Sequence, residues 1–364
     1  MKIFVVVGEQ SGDSHAAAVI QKLFELEPKL SVQGWGGDAM RSAGATIHRD
    51  FRSYSAMGFW EIIKKLGQYK DLLKLCISDI LAFKPDVVLL VDFGGFNLRL
   101  AKELSKSNIK ISYYIPPKVW AWGDWRVHRI KRYCKQVLVT LPFEKEFFST
   151  YDVQTSYVGN PVKEQLAHCL TLKEQEVARN YVVVIPGSRN QEVSKVLPYI
   201  KELASDQSDL HFLVSKAHAV DKEIYEQLGD IPNIELFDDD YYRHIVRAKA
   251  AIVTSGTATL EVALLKVPQV VVYKTSQLTY LIARLLTRVR HISLVNLIAN
   301  RSIVTELVQN NLRLDSLSNE LKEVLENQSI HKKISEGYSE IDHILGKNKA
   351  SENAARLIVQ LGRS

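Results

Sequence analysis

The chain of 364 residues has little of what marks a secreted or membrane-spanning protein. Only three cysteines occur, Cys76, Cys134 and Cys169, far apart and without paired spacing, which argues against a disulfide framework and a zinc cluster. No apolar stretch reaches the roughly 18 residues of a spanning helix. The run Ile3 to Val7 ends at Gly8 and Glu9, too short for a signal-peptide core. The sequence therefore predicts a protein kept in the cytoplasm, in solution or at a membrane surface. Neither sign of charge dominates, since 47 Lys and Arg face 41 Asp and Glu for a formal +6. That bias is compatible with phosphorylated ligands, anionic lipid or nucleic acid and selects none of them. Internal repeats and low-complexity tracts are lacking, and 46% hydrophobic residues supply large cores, which excludes disorder and collagen-like chains. There is no HExxH motif, CxxC pair or Asp-rich metal loop. The consecutive Asp238, Asp239 and Asp240 cannot converge on one ion from a regular element, so a mechanism without metal or cofactor is expected.

What is present is a series of short apolar runs between helical stretches: Ile3–Val7, Val87–Val91, Lys110–Ile115 and Gln136–Thr140, then Tyr181–Ile185, His211–Val214, Ala250–Thr254 and Gln269–Tyr273. Such alternation predicts α/β architecture with parallel sheets covered on both faces. We read two doubly wound Rossmann-like domains, 1–165 and 166–345, and a C-terminal helix within 346–364 that packs on the first domain or on a partner subunit. Sheets of this kind bind ligands at the carboxyl ends of their strands, so the chemistry is expected in the loops after strands, at a cleft between the domains.

Four such loops carry candidate residues. Gly8-Glu9-Gln10-Ser11-Gly12-Asp13 follows the first strand, where small residues admit a ligand to the backbone or merely make a capped turn. Asp92 follows Val87–Val91, where partial desolvation can raise a carboxylate toward a useful base, although an Asp there also serves as a helix cap. Pro186-Gly187-Ser188-Arg189 offers a planar guanidinium fork for phosphate oxygens. Ser255-Gly256-Thr257-Ala258-Thr259-Leu260-Glu261 opens a helix whose N-terminus suits an anion, with Glu261 further along for ribose hydroxyls. Two phosphate-type loops in one domain point to a nucleoside diphosphate.

Two further stretches combine aromatic or aliphatic residues with cations. Tyr113 to Trp122, with Arg126, His128, Arg129, Lys131, Arg132 and Lys135, fits a wall against a sugar or acyl ligand as well as it fits single-stranded nucleic acid. Along a helix expected over 56–82, Phe59, Ile62, Ile63, Leu66, Tyr69, Leu73, Ile77 and Ile80 form the core stripe. Met57, Trp60, Leu72 and Leu75 fall off it among Lys64, Lys65, Lys70 and Lys74, the pattern of an interfacial helix on an anionic bilayer or of a helix buried on two sides.

Taken in order, Gly8-Glu9-x-Ser11-Gly12-Asp13, Gly36-Gly37-x-x-Met40, Val119-Trp120-Ala121-Trp122, Leu141-Pro142-Phe143-Glu144, Val158-Gly159, Pro186-Gly187-Ser188-Arg189, Ser255 to Glu261 and Asn296-Leu297 resemble the bacterial lipid-A-disaccharide synthases. The resemblance implies a GT-B glycosyltransferase that transfers 2,3-diacylglucosamine from UDP to the 6-hydroxyl of 2,3-diacylglucosamine 1-phosphate (lipid X), with inversion. It implies Asp92 as the essential carboxylate, with Glu9 and Asp13 as competitors for the base. Arg189, Ser188, Ser255, Gly256, Thr257, Thr259, Glu261 and Asn296 are then expected around UDP. It also implies work on the cytoplasmic face of the inner membrane, with Met57, Trp60, Leu72 and Leu75 in contact with lipid, a C-terminal exchange between two copies, and no nucleic-acid partner. Related GT-B enzymes on UDP-sugars, such as a peptidoglycan-precursor N-acetylglucosaminyltransferase or a UDP-sugar epimerase, share the Ser-Gly-Thr helix but not the Trp-Ala-Trp block. This sequence departs from the family pattern at Gly94-Gly95, Pro116, Lys118, Asn160 and Val295, mostly on the acceptor side.

Overall fold

Runs such as Val87–Val91 and Tyr181–Ile185 have no polar face to present to water, and each lies buried inside a parallel sheet. A computed structural model of the chain describes every residue except 55–65, 174–179, 278, 279, 282, 283, 285, 286, 288 and 348. It divides into one unit of Met1–Pro161 with Lys347–Ser364 and a second of Val162–Gly346.

The first unit holds β1 (Lys2–Val6), β2 (Ser31–Gly36), β3 (Thr46–Asp50), β4 (Val87–Val91), β5 (Lys110–Tyr114), β6 (Gln136–Val139) and β7 (Ser156–Tyr157). They form a parallel sheet in the order β3-β2-β1-β4-β5-β6-β7. The second unit holds β8 (Tyr181–Ile185), β9 (His211–Ser215), β10 (Ile234–Phe237), β11 (Ala250–Thr254), β12 (Gln269–Tyr273) and β13 (Glu306–Val308). Their order is β10-β9-β8-β11-β12-β13, again parallel. In the first sheet the chain runs outward from β1 to β3, then returns to the other side of β1 and runs outward again from β4. The loops after β1 and β4 therefore part company, and those after β8 and β11 do the same. Loops that diverge at such a switch point leave room for a ligand at the strand ends.

The strands expected from the sequence are the inner ones. β2, β3, β7, β10 and β13 add to them, and each lies at or beside a sheet edge. An outer strand needs less apolar surface, so Gly34 and Gly36 in β2 or the exposed Glu235 in β10 break the apolar run without breaking the ladder.

Helix Leu66–Phe83 turns Tyr69, Cys76 and Ile80 into the core of the first unit, with Leu73 and Ile77 partly buried on the same face. Leu72 also packs partly against that core, whereas Leu75 is 38% exposed. Met57 and Trp60 lie outside the described residues. The last helix, Ala350–Arg363, packs on the first unit of its own chain, where Ala354, Ala355 and Ile358 join Ile3, Ile20 and Leu23. Asn353 Nδ2 donates to the Val158 carbonyl at 3.0 Å and Gln136 Nε2 donates to the Leu357 carbonyl at 3.1 Å. Among the described residues no helix is long and apolar enough to cross a membrane.

Candidate active site

At the first switch point the chain leaves β4 through Asp92 and Phe93, whose φ angles of 47° and 49° put two successive non-glycine residues in the left-handed region. Gly94 then starts the next helix. The Phe93 ring fills the space above Gly8, where a Cβ would come within 2.1 Å of it, which accounts for the glycine that opens the first loop. Glu9 follows Gly8 and accepts from Ser11 Oγ at 2.8 Å. The Asp92 carboxyl is pushed up to about 7, first by burial and then by the charge of Glu9 and a hydrogen bond with it, against the pull of Lys118. His15 is pushed down to about 4, mainly by burial, so its imidazole is neutral at working pH. The result is a carboxyl at the end of β4, beside Glu9, able to accept a proton near neutrality.

Asp13 has another occupation. It is buried, its Oδ1 accepts from the backbone N–H groups of Gly37 (2.7 Å) and Met40 (3.4 Å), and its Oδ2 accepts from that of Ala39 (3.0 Å). It caps helix Asp38–Ser42 from a distance, and a Cβ on Gly37 would lie 2.7 Å from its Oδ2. The first-loop motif and the Gly36-Gly37-x-x-Met40 motif are thus two halves of one cap. A carboxylate engaged in this way does not fit the base role named for it from the sequence.

The Trp-Ala-Trp and Leu-Pro-Phe-Glu motifs also interlock. Trp120 Nε1 donates to Glu144 Oε1 at 3.0 Å, while Glu144 Oε2 accepts from Thr140 (3.2 Å) and Leu141 (3.0 Å). Phe143 packs edge-on against Trp120 at 4.9 Å. Next to this joint Trp122 and Trp125 are 49% and 56% exposed. The Arg126 guanidinium lies 3.9 Å from the Trp122 ring centre and that of Arg129 lies 4.9 Å from Trp125.

In the second unit Arg189 caps helix Asn190–Asp206 and its side chain is 73% exposed. One edge of its guanidinium is held by Glu192 Oε1 at 3.0 Å, and Glu192 Oε2 accepts the backbone N–H of Ser188 at 3.2 Å. Gly187 has φ +120°, and a Cβ there would meet Glu192 Oε2 at 2.8 Å. At the neighbouring strand end Gly256 precedes helix Thr257–Leu264, with Thr257 exposed at its first position. Ser255 Oγ donates to the Ile292 carbonyl at 2.8 Å. Thr259 is buried with its hydroxyl donating to the Gly256 carbonyl at 2.8 Å and accepting the Leu294 N–H at 3.3 Å. Glu261 accepts from Tyr241 Oη at 3.2 Å and its carboxyl is pushed up to about 7 by burial, opposed by the hydrogen bonds of Tyr241 and Tyr242.

Asn296 is buried with both ends of its amide committed. Nδ2 donates to the Val304 carbonyl and to Glu306 Oε1, each at 2.9 Å, and Oδ1 accepts from Ile303 (2.7 Å) and Val304 (3.1 Å). The nucleotide contact expected of Asn296 does not fit this geometry, which makes it a pin between two loops. Thr259 is likewise a pin. Among the described residues no group of three His, Cys, Asp or Glu is placed to hold a metal ion.

A family model described as lipid-A-disaccharide synthetase matches residues 3–360. The chain belongs to the lipid-A-disaccharide synthase family. The lipid-A-disaccharide synthase of Myxococcus xanthus is 34% identical over 99% of this chain and 97% of its own length. That of Syntrophus aciditrophicus is 33% identical with the same coverage. Among solved structures, the UDP-GlcNAc 2-epimerase of Neisseria meningitidis bound to UDP-GlcNAc matches with TM-score 0.66 at 13% identity, covering 99% of each chain. The glycotransferase of kitacinnamycin matches with TM-score 0.67 at 14% identity, covering 99% of this chain and 98% of its own. The similarity to the solved structures is one of fold, that of GT-B proteins with two parallel-sheet α/β domains.

Several residues of this synthase family member go beyond the sequence reading. Glu306 accepts from Ser293 N–H (2.9 Å), Ser293 Oγ (2.7 Å) and Asn296, so it organises the loop against which Ser255 rests. Tyr273, at the end of β12, feels the charges of both Glu192 and Arg189. Tyr241 and Tyr242 sit on Glu261. A pair of adjacent tyrosines directly after three aspartates is the only trace of the last arrangement in the sequence.

Proposed function

We propose that this chain joins UDP-2,3-diacylglucosamine to lipid X, giving the lipid A disaccharide 1-phosphate and UDP. The observation that carries the reading within the family is Asp92, a carboxyl at the first switch point that burial and Glu9 hold near neutrality. A base of that pKa takes the proton of the acceptor 6-hydroxyl as its oxygen forms a bond to the donor anomeric carbon. The bond from that carbon to the UDP oxygen breaks on the opposite face, so the configuration inverts and the electron pair leaves with the diphosphate. Arg189, through the guanidinium edge not held by Glu192, and the N-terminal end of helix Thr257–Leu264 stabilise the negative charge that develops there. Ser188, Ser255 and Gly256 complete the phosphate loops and Glu261 takes ribose hydroxyls.

Substrates with long acyl chains require work at a bilayer. Exposed Leu75, Trp122 and Trp125, flanked by lysines and arginines, support a peripheral position on the cytoplasmic face of the inner membrane. Release of UDP from the donor alone and with lipid X tests the proposal. UDP appears only with acceptor if the chain is a transferase; donor conversion without acceptor contradicts it and favours the epimerase reading.

A further inference from the structure

Two successive left-handed non-glycine residues are strained and persist only where their surroundings dictate them. What dictates the turn at Asp92 and Phe93 lies beneath it. Tyr113 Oη donates to the Asp92 carbonyl at 2.8 Å, and Asn97 Nδ2 donates to the same carbonyl at 2.9 Å and to that of Val91 at 3.3 Å. Both side chains are wholly buried. On the other side of the turn, Phe93 stacks on Phe96 at 5.2 Å and Tyr69 Oη donates to the Gly95 carbonyl at 3.2 Å. We infer that Tyr113 and Asn97 are positioning residues for Asp92, their two donors on one carbonyl holding the peptide in the turn that brings its carboxyl against Glu9. The inference rests on the reading of Asp92 as the base.

Neither residue touches the reacting atoms. Tyr113 points at a backbone oxygen, and burial holds its phenol well above the ordinary value. The charged and titratable groups facing Asp92 are Glu9 from the loop after β1, Lys118 from the loop after β5 and Tyr113 from β5 beneath. Without the clamp the turn relaxes toward ordinary backbone, the carboxyl leaves Glu9 and becomes better solvated, and its distance from the acceptor hydroxyl is no longer fixed.

The test is Tyr113→Phe in the full chain, beside Ser112→Ala as a control. Ser112 is also buried on β5 and donates to Gln136 Oε1 at 2.8 Å, so its loss breaks a hydrogen bond of the same sheet away from Asp92. Tyr113→Phe should lower kcat about tenfold or more, as misplacement of a reacting group does, with UDP affinity within about twofold of the parent. Its kcat/KM profile should also lose its acid limb near neutrality and show one at lower pH. Ser112→Ala should lower the melting temperature with kcat and profile intact. If Tyr113→Phe does not fold, Asn97→Ala, which keeps the Tyr113 bond, is measured in the same way. Unchanged kcat and an unchanged acid limb in a folded clamp variant overturn the inference. If that happens while Asp92→Asn is inactive, the clamp fails alone; if Asp92→Asn is itself active, the base reading fails first.

Discussion

Replacing Asp92 with Asn should stabilise the protein while disabling it. In the folded chain the carboxyl is raised from 3.8 to about 7, so above neutrality the fold must carry a charge that its surroundings disfavour. A raised acid contributes stability that is fully present below the unfolded value of 3.8 and is lost as pH rises through 7. The full shift corresponds to roughly 4 kcal/mol as a ceiling. Partial exposure of Asp92 and the freedom of Glu9 to move away reduce this to about 1–2 kcal/mol at pH 8. Asn keeps the shape and the backbone bonds to Tyr113 and Asn97 and carries no charge. At pH 8 the variant should therefore melt several degrees higher than the parent, at about 2–4 °C per kcal/mol for a unit of this size. At pH 4 the two should coincide. Turnover at pH 8 should fall by about 10²–10⁴, the usual worth of a general base, with UDP affinity retained. Calorimetric melting at the two pH values and steady-state kinetics provide the readouts. A variant less stable than the parent at pH 8 contradicts a destabilised charge at Asp92, and one that keeps substantial turnover contradicts its role as the base.

Arg189→Ala should weaken UDP binding by about 1.5–3 kcal/mol, the range for a charge-assisted contact, and leave the melting temperature nearly unchanged because the side chain is exposed; titration calorimetry with UDP decides. Glu261→Ala should reduce the preference for UDP over 2′-deoxy-UDP to about parity if the carboxylate reads ribose hydroxyls, and a preserved preference in competition binding contradicts that role. Asn296→Ala should cost about 2–4 kcal/mol of stability by stranding buried partners at Ile303, Val304 and Glu306. Intact stability with lost UDP binding would instead return Asn296 to the nucleotide. Serine at Leu75, Trp122 and Trp125 should release the protein from vesicles containing anionic phospholipid, and unchanged sedimentation rejects that contact surface.

The inner strands and the loops after them are legible in the sequence because a strand buried on both faces has to be apolar from end to end, and Val87–Val91 or Tyr181–Ile185 can be little else. β10 and β13 are not, since an edge strand tolerates an exposed Glu235 or a Glu306 whose carboxylate is taken up by the Ser293 loop. Reading chemistry from the loops separates in the same way. Asp92, Glu9 and Arg189 stand at strand ends, where position in the sequence fixes position at the site. Asp13 and Asn296 share those motifs, yet their side chains reach Gly37 and Glu306, partners distant in sequence that only the fold brings within hydrogen-bond range. A motif therefore marks where a ligand site is built without separating the residues that touch the ligand from those that hold the loops. The clamp of Tyr113 and Asn97 under Asp92 is invisible for the same reason: the sequence puts Tyr113 at the head of an aromatic stretch read as a ligand wall, whereas the fold buries it with Asn97 beneath the turn.

Transfer of a diacylglucosamine with inversion from UDP to lipid X is recorded in the product itself. The purified chain is incubated with both substrates, and the lipid product is isolated for its mass and for the configuration of the new linkage by NMR. Inverting transfer yields one disaccharide 1-phosphate, joined β to the 6-position, formed in equal amount with UDP. An α linkage, or UDP released without disaccharide, contradicts it.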